Sequence, residues 1–245
     1  MFDRSLISYL AIAEPVSSLS HMIGALLILF VALRLFALVR GCKVRTGAVA
    51  LFVCGTSGMF LASGTYHFLS RDQSLHRVFW YLDHAMIWVT IVGTIFAIQV
   101  LARVGCKRSM IGLWTLGISG ACLEGVFLDG LPGWVSPVLF VGLGWFGVIP
   151  CARLIQRHGL GFVIPIILAG AFTTLGGVID ALEWPMLLRG VVEGHEVMHF
   201  LILAGMLCFA WAIDRCCRLP LPHLHPRPQW DRLEAAYQAD ALQPA

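Results

Sequence analysis

Charge is what this chain has least of. Asp, Glu, Lys and Arg make up 13% of its 245 residues, about half the share typical of a soluble domain. Hydrophobic residues make up 58%, and the mean hydropathy is +0.82. Such a composition excludes a soluble globular fold, and we expect no nucleic-acid partner. We predict an all-α membrane protein in which seven transmembrane helices form one bundle.

Two other features are absent from the sequence. None of its eight cysteines forms a C-x-x-C pair, and several lie within apolar stretches, where cysteine acts as a small hydrophobe. Because Cys42, Cys106, Cys216 and Cys217 fall on the side assigned below to the cytoplasm, disulfides are not expected. Residues 1–15 also lack the basic, apolar and small-residue order of a cleavable signal peptide, so none is expected.

Seven apolar stretches are long enough, or nearly so, to cross about 30 Å of hydrocarbon at about 1.5 Å per residue. We place them at residues 16–39, 47–70, 78–102, 109–128, 134–154, 160–181 and 195–214. Short connections rich in Gly and Pro separate them. The chain therefore divides into an N-terminal segment at 1–15, a transmembrane domain at 16–214 and a Pro-rich tail at 215–245.

The distribution of basic residues predicts the orientation of the bundle. Thirteen of the 17 Lys and Arg residues lie in or beside the loops after spans one, three and five, or in the C-terminal tail. The other four are Arg4, Arg71, Arg77 and Arg189. By the positive-inside rule, the N-terminus lies outside and the C-terminus in the cytoplasm. We expect an integral membrane protein.

Five polar residues fall at one depth in this arrangement. Ser63 and His67 lie near the outer end of span two, and Asp83 lies about one and a half turns into span three. His195 and His199 lie in the first two turns of span seven, four residues apart and therefore on one helix face. Ionisable groups are costly in hydrocarbon and usually face a bundle interior with a partner.

The three histidines have the chemistry of a catalytic zinc site. Three neutral imidazoles with one open position can hold a zinc ion and a water molecule, whose pKa falls toward about 7. Asp83 could orient or deprotonate that water, and Ser63 could hydrogen-bond the water or a substrate oxyanion. Either residue could instead hydrogen-bond to a metal-binding histidine and orient it.

Each residue also has an ordinary explanation when taken alone. Ser63 could bond a backbone carbonyl, His67 could be an interfacial histidine, and Asp83 could cap its helix or pair with Arg77. These separate explanations do not account for the occurrence of polar residues from three spans at one depth.

Further polar residues lie in or near the same layer. His21 could be a fourth ligand, a supporting partner or a packing residue, and Ser17 or Ser18 could cap the first helix. His84 points about 100° away from Asp83, so we do not expect it in the site. Arg34 is expected to extend to the cytoplasmic face. Five acidic residues could line the outer mouth of the site, namely Glu124, Asp180, Glu183, Glu193 and Glu196. Most of them are expected to be interfacial and solvated, and Glu124 is the one to test first.

Several motifs, in this order, resemble the hemolysin III family, the bacterial relatives of the progestin and adipoQ receptors and of the alkaline ceramidases. The resemblance spans residues 14–214 and rests on Glu14 to Gly24, Ser63 to His67, Leu82-Asp83-His84, Gly93-Thr94, and His195 with His199. The chain departs from the family pattern where Ile95, Ala97 and Met198 stand, and near Ser17.

The resemblance implies a location in the bacterial inner membrane and specific roles for the site residues. In adiponectin receptors and alkaline ceramidases, the matching histidines bind zinc, with the matching Asp and Ser close by. It therefore implies His67, His195 and His199 as zinc ligands, with Asp83 and Ser63 at the bound water.

Three functions remain open from the sequence. The first is a zinc-dependent intramembrane hydrolase acting on a lipid amide or ester. The second is a receptor or regulator of lipid or ion state, in which zinc is structural and a membrane lipid is the ligand. The third is a transporter or pore, which the absence of paired broken helices disfavours. The sequence predicts neither the substrate nor the oligomeric state.

Overall fold

A computed structural model describes residues 12–71 and 73–220 of the chain. Its helices are α1 (Pro15–Leu38), α2 (Lys43–Phe68), α3 (His76–Leu101), α4 (Lys107–Phe127), α5 (Val135–Gly144), α6 (Val148–His158), α7 (Leu160–Leu182) and α8 (Gly194–Cys217). Together they provide seven segments long and apolar enough to cross a membrane. The predicted seven-helix membrane fold is confirmed, and the protein is an integral membrane protein. The predicted orientation of the termini stays a prediction.

The fifth span differs from a simple helix. It runs from Val135 to His158 and contains a short 3-10 turn, Trp145–Gly147, between α5 and α6. The local sequence explains the break. Gly144 and Gly147 lie at the break and glycine is a weak helix former. Pro150 has no backbone N–H to donate to the carbonyl four residues earlier. Sequence periodicity alone predicted one continuous span here.

The α2 and α3 helices pack closely because glycines lie where their backbones meet. A Cβ added at Gly55 would lie 3.2 Å from the Cα of Thr90, and one added at Gly93 would lie 3.0 Å from the carbonyl oxygen of Leu51. Small residues allow such close approach between membrane helices, where packing supplies much of the association energy. The tight pair fixes the end of α2 relative to α3, which places His67 and Asp83 near each other.

The α1 helix contacts both α2 and α8, the two helices that carry the predicted zinc ligands. Its inner face is buried through Ala25, Ile28 and Leu35. Its outer face exposes large apolar side chains such as Leu26, Phe30 and Leu33, as expected for a lipid-facing surface. Residues 1–11 and the predicted tail from 221 onward lie outside the described residues.

Candidate metal centre

The ends of α2 and α8 bring three imidazoles together. His67 lies in the last turn of α2, and His195 and His199 lie in the first two turns of α8. The Nε2 atoms of His67 and His195 are 3.4 Å apart. One ring nitrogen from each of the three histidines lies within 4.8 Å of the others. The structure thus joins residues that are more than 120 positions apart in the sequence.

A capping box fixes the start of α8. Glu193 is the N-cap residue, its side chain accepts from the backbone of Glu196, and its own N–H donates to Glu196 Oε2 at 2.8 Å. The other oxygen of Glu196 accepts a hydrogen bond from Ser17 Oγ at 2.9 Å. These bonds satisfy orphan donors at the helix start and attach it to α1. His195 and His199 therefore project from an anchored helical turn.

The start of α1 is attached to the end of α2. The N–H of Glu14 donates to the carbonyl oxygen of His67 at 3.0 Å, and Ser18 Oγ donates to the carbonyl oxygen of Gly64 at 2.9 Å. The suggested capping role of Ser17 or Ser18 is wrong. Glu14 is the N-cap residue and Pro15 occupies the first turn, so both serines lie inside the helix and bond to neighbouring helices.

Two carboxylates contact the Nδ1 atoms of His67 and His195. Glu14 Oε2 lies 2.6 Å from His67 Nδ1, and Asp180 Oδ1 lies 2.8 Å from His195 Nδ1. The bond to His67 holds the pKa of Glu14 below its ordinary value, although partial burial acts in the opposite direction. A carboxylate at Nδ1 places the proton there and leaves Nε2 with its lone pair. Asp180 is therefore a hydrogen-bond partner of His195 and not merely a solvated carboxylate.

The donor set fits a metal cation. Two bare Nε2 atoms 3.4 Å apart repel each other unless a proton or a cation lies between them. Zn–N bonds of about 2.0–2.1 Å in tetrahedral geometry separate two ligand nitrogens by about 3.3–3.4 Å. The spacing of His67 and His195 agrees with that value, and His199 lies within reach of both. His67 and His199 are buried, which limits competition from solvent.

His21 lies beside the cluster but is not one of its three histidines. Its ring stacks on that of His199 with centroids 3.9 Å apart, and meets Phe60 edge-on at 5.2 Å. Both nitrogens of His21 and Nδ1 of His199 are buried without a hydrogen-bond partner among the described residues. The stacked geometry favours packing and support over the predicted possibility of a fourth ligand.

Ser63 and Asp83 lie next to each other beside this cluster. Ser63 is buried one turn before His67, and its hydroxyl is close to the carboxyl group of Asp83. Asp83 lies close enough to His67 and His195 for their charges to act on its carboxyl group. The alternative pairing of Asp83 with Arg77 is wrong, because Arg77 Nη2 contacts Asp129 Oδ2 at 2.5 Å. Asp83 is therefore not paired with Arg77.

A second polar cluster lies between α3 and α4. Glu124, only 3% exposed, accepts hydrogen bonds from Trp88 Nε1 and from His84 Nδ1, the latter at 2.9 Å. Glu124 is therefore not one of the interfacial, solvated acidic residues. His84 lies outside the cluster of three histidines, as its helical angle to Asp83 indicates.

Sequence reasoning missed Glu14 and Asp180 as partners of the histidines. Glu14 does lie in a motif shared with the hemolysin III family, but its contact with His67 depends on how α1 packs against α2. Comparison with known proteins adds one finding. A family model described as haemolysin-III related matches residues 9–210, which is most of the chain.

Proposed function

The chain belongs to the haemolysin-III related family, and on that premise we propose that it is a zinc-dependent intramembrane hydrolase. Its proposed substrate is a membrane lipid with an amide or ester bond. The observation that carries the proposal is the approach of the His67, His195 and His199 nitrogens to within 4.8 Å of one another. Three protein ligands are typical of catalytic zinc, whereas structural zinc is usually bound by four.

The roles of the histidines follow from their contacts. His67, His195 and His199 would hold the ion through nitrogens that face one another. Zinc bound in this way supplies a Lewis acid and lowers the pKa of a water molecule. Glu14 and Asp180 keep the protons of His67 and His195 on Nδ1, so that each ring presents Nε2 to the ion.

Asp83 and Ser63 supply the remaining chemistry. The carboxylate of Asp83 accepts a proton from the attacking water and returns it to the leaving amine or alkoxide as the carbonyl–heteroatom bond breaks. The hydroxyl of Ser63 donates a hydrogen bond to the oxygen on which negative charge develops. Both groups lie beside His67, where a substrate carbonyl could meet them.

The position of the site favours a lipid substrate. The three histidines occupy helix ends, close to one face of the membrane, at the level of the polar ends of acyl chains. Under the predicted orientation this is the outer leaflet of a bacterial inner membrane. A soluble substrate would not need a site enclosed by apolar spans.

The experiment measures hydrolysis of a panel of ceramides, phospholipids and acylglycerols by purified protein in liposomes. Asp83→Asn is expected to lower the rate by about 10²–10⁴-fold, the usual contribution of a general base, with zinc content unchanged. Asp129→Asn is the matched control, since Asp129 is an exposed carboxylate on the same side that contacts Arg77. A zinc-loaded protein with no turnover on any lipid would contradict the proposal.

A non-catalytic receptor or regulator is the second candidate. It is favoured by the number of bonds that attach α1 to α2 and α8 around the histidines, because a metal there would also join these helices. In that case, zinc removal would lower the melting temperature strongly, and Asp83→Asn would change neither zinc content nor any lipid turnover.

A further inference from the structure

A groove of about 580 Å³ lies between α1 and α8, at the end of the bundle opposite the three histidines. Its polar lining consists of Arg34, Asp214, Arg215 and Arg218, and Trp211 is among its other residues. The groove lies on the side that carries most of the basic residues of the chain. Nothing in the proposed hydrolase chemistry uses it.

Asp214 pairs with two of the arginines. Its Oδ1 accepts from Arg34 Nε at 2.6 Å, and its Oδ2 accepts from Arg218 Nε at 2.8 Å. Asp214 is the least exposed of the three, with 17% of its side chain accessible, against 61% for Arg34 and 51% for Arg218. The carboxylate is thus enclosed while both guanidinium groups remain accessible.

The arginines keep unused donors. Within the described residues, Arg34 and Arg218 each make their side-chain hydrogen bond through Nε, so their terminal amino groups are available for another acceptor. Arg215 also lines the groove and uses Nη1 to bond the carbonyl oxygen of Gly161. Three arginines against one aspartate give the groove an excess of positive charge, which favours an anion.

The apolar surroundings indicate what kind of anion fits. Above the arginines, Leu26, Phe30 and Leu33 of α1 are exposed on the lipid-facing surface. Trp211 is 50% exposed beside the groove, in the position of an interfacial aromatic anchor. A ligand here would have acyl chains along α1 and a negative headgroup at the arginines.

We propose that this groove binds an anionic phospholipid, with its phosphodiester held by Arg34 and Arg218. Guanidinium groups bind phosphate oxygens with paired, charge-assisted hydrogen bonds. Basic pockets between transmembrane helices on the cytoplasmic side are suited to anionic headgroups. The site is independent of the metal centre.

The test compares binding of phosphatidylglycerol and phosphatidylcholine to the purified full-length protein by native mass spectrometry. Each basic residue near a charged headgroup contributes about 1 kcal/mol, or about fivefold in affinity. The double variant Arg34→Gln/Arg218→Gln is therefore expected to bind phosphatidylglycerol roughly 25-fold more weakly, with phosphatidylcholine binding unchanged. The matched control is Arg40→Gln/Lys43→Gln, which removes two exposed charges from the same side, outside the groove.

A second variant, which should strengthen lipid binding, keeps the test decisive if the double variant folds poorly. Asp214→Asn removes the one carboxylate that lines the groove within residues 12–71 and 73–220, so it is expected to tighten phosphatidylglycerol binding by about fivefold. Weaker binding by Asp214→Asn would overturn the proposal, as would equal losses in the double variant and its control. Displacement of the lipid by an equal concentration of soluble glycerol phosphate would also overturn it.

Discussion

Replacing Glu14 by Gln tests whether the carboxylate behind His67 supports metal binding. The substitution keeps the shape of the side chain but removes its charge. In the structure, Glu14 Oε2 lies 2.6 Å from His67 Nδ1, a short and charge-assisted contact. With a neutral amide, the proton is held less firmly on Nδ1, and Nε2 becomes a poorer ligand.

The magnitude follows from the strength and exposure of this bond. Hydrogen bonds to charged groups contribute about 1.5–3 kcal/mol and neutral ones about 0.5–1.5 kcal/mol, a difference of about 1–1.5 kcal/mol. Because 48% of the Glu14 side chain is exposed, solvent screening favours the lower part of the range of 10–100-fold known for such partners. We therefore expect zinc to bind Glu14→Gln about tenfold more weakly.

The assay is zinc competition against a fluorescent chelator, with the protein in detergent. Glu183→Gln is the matched control, because Glu183 is an exposed carboxylate close to α8 on the same side of the bundle. The control should bind zinc as the wild type does. Equal zinc affinity in wild type and Glu14→Gln would refute the idea that Glu14 supports His67, provided that both metal-free proteins melt at the same temperature.

Three other predictions concern different parts of the bundle. The backbone N–H of Ser109, and to a smaller extent the side chain of Arg153, lower the pKa of Cys106 to about 7. The maleimide labelling rate of Cys106 should therefore reach half its plateau near pH 7, and a midpoint above pH 8 would contradict this. Glu124→Ala leaves Trp88 Nε1 without its acceptor and should lower the free energy of unfolding in detergent by about 1–3 kcal/mol, whereas an unchanged value would show that the buried bond is unimportant. Gly93→Val would crowd the backbone of α2 at Leu51, and this overpacking should cost about 1–3 kcal/mol and lower the melting temperature. A variant as stable as the wild type would show that α2 and α3 can move apart without loss of stability.

Much of the fold could be predicted because its signals are local. Seven apolar stretches identified seven spans, and the depth of each polar residue followed from its position along a span. Counting residues from the helix ends was enough to place Ser63, His67, Asp83, His195 and His199 at one level. The structure brings the three histidines within 4.8 Å, as that depth argument requires.

The partners of the histidines could not be predicted in the same way. Whether Asp180 faces solvent or His195 depends on the rotation of α7 about its axis, and the hydropathy of a nearly uniform apolar helix says little about rotation. Ser17 resembles a helix cap in sequence, but the cap is decided by where the chain turns, which Glu14 and Pro15 determine. Arg34 and Asp214 meet only because α1 lies against α8.

The most direct test of the account is the zinc content of the purified full-length protein and of His199→Gln, measured by mass spectrometry of the metal. His158→Gln serves as the control, since His158 is exposed and outside the cluster. The account predicts about one zinc ion per chain in the wild type and in the control, and less than about a tenth of that in His199→Gln. A wild-type protein without zinc, or a His199→Gln variant that retains it, would contradict the proposed metal centre.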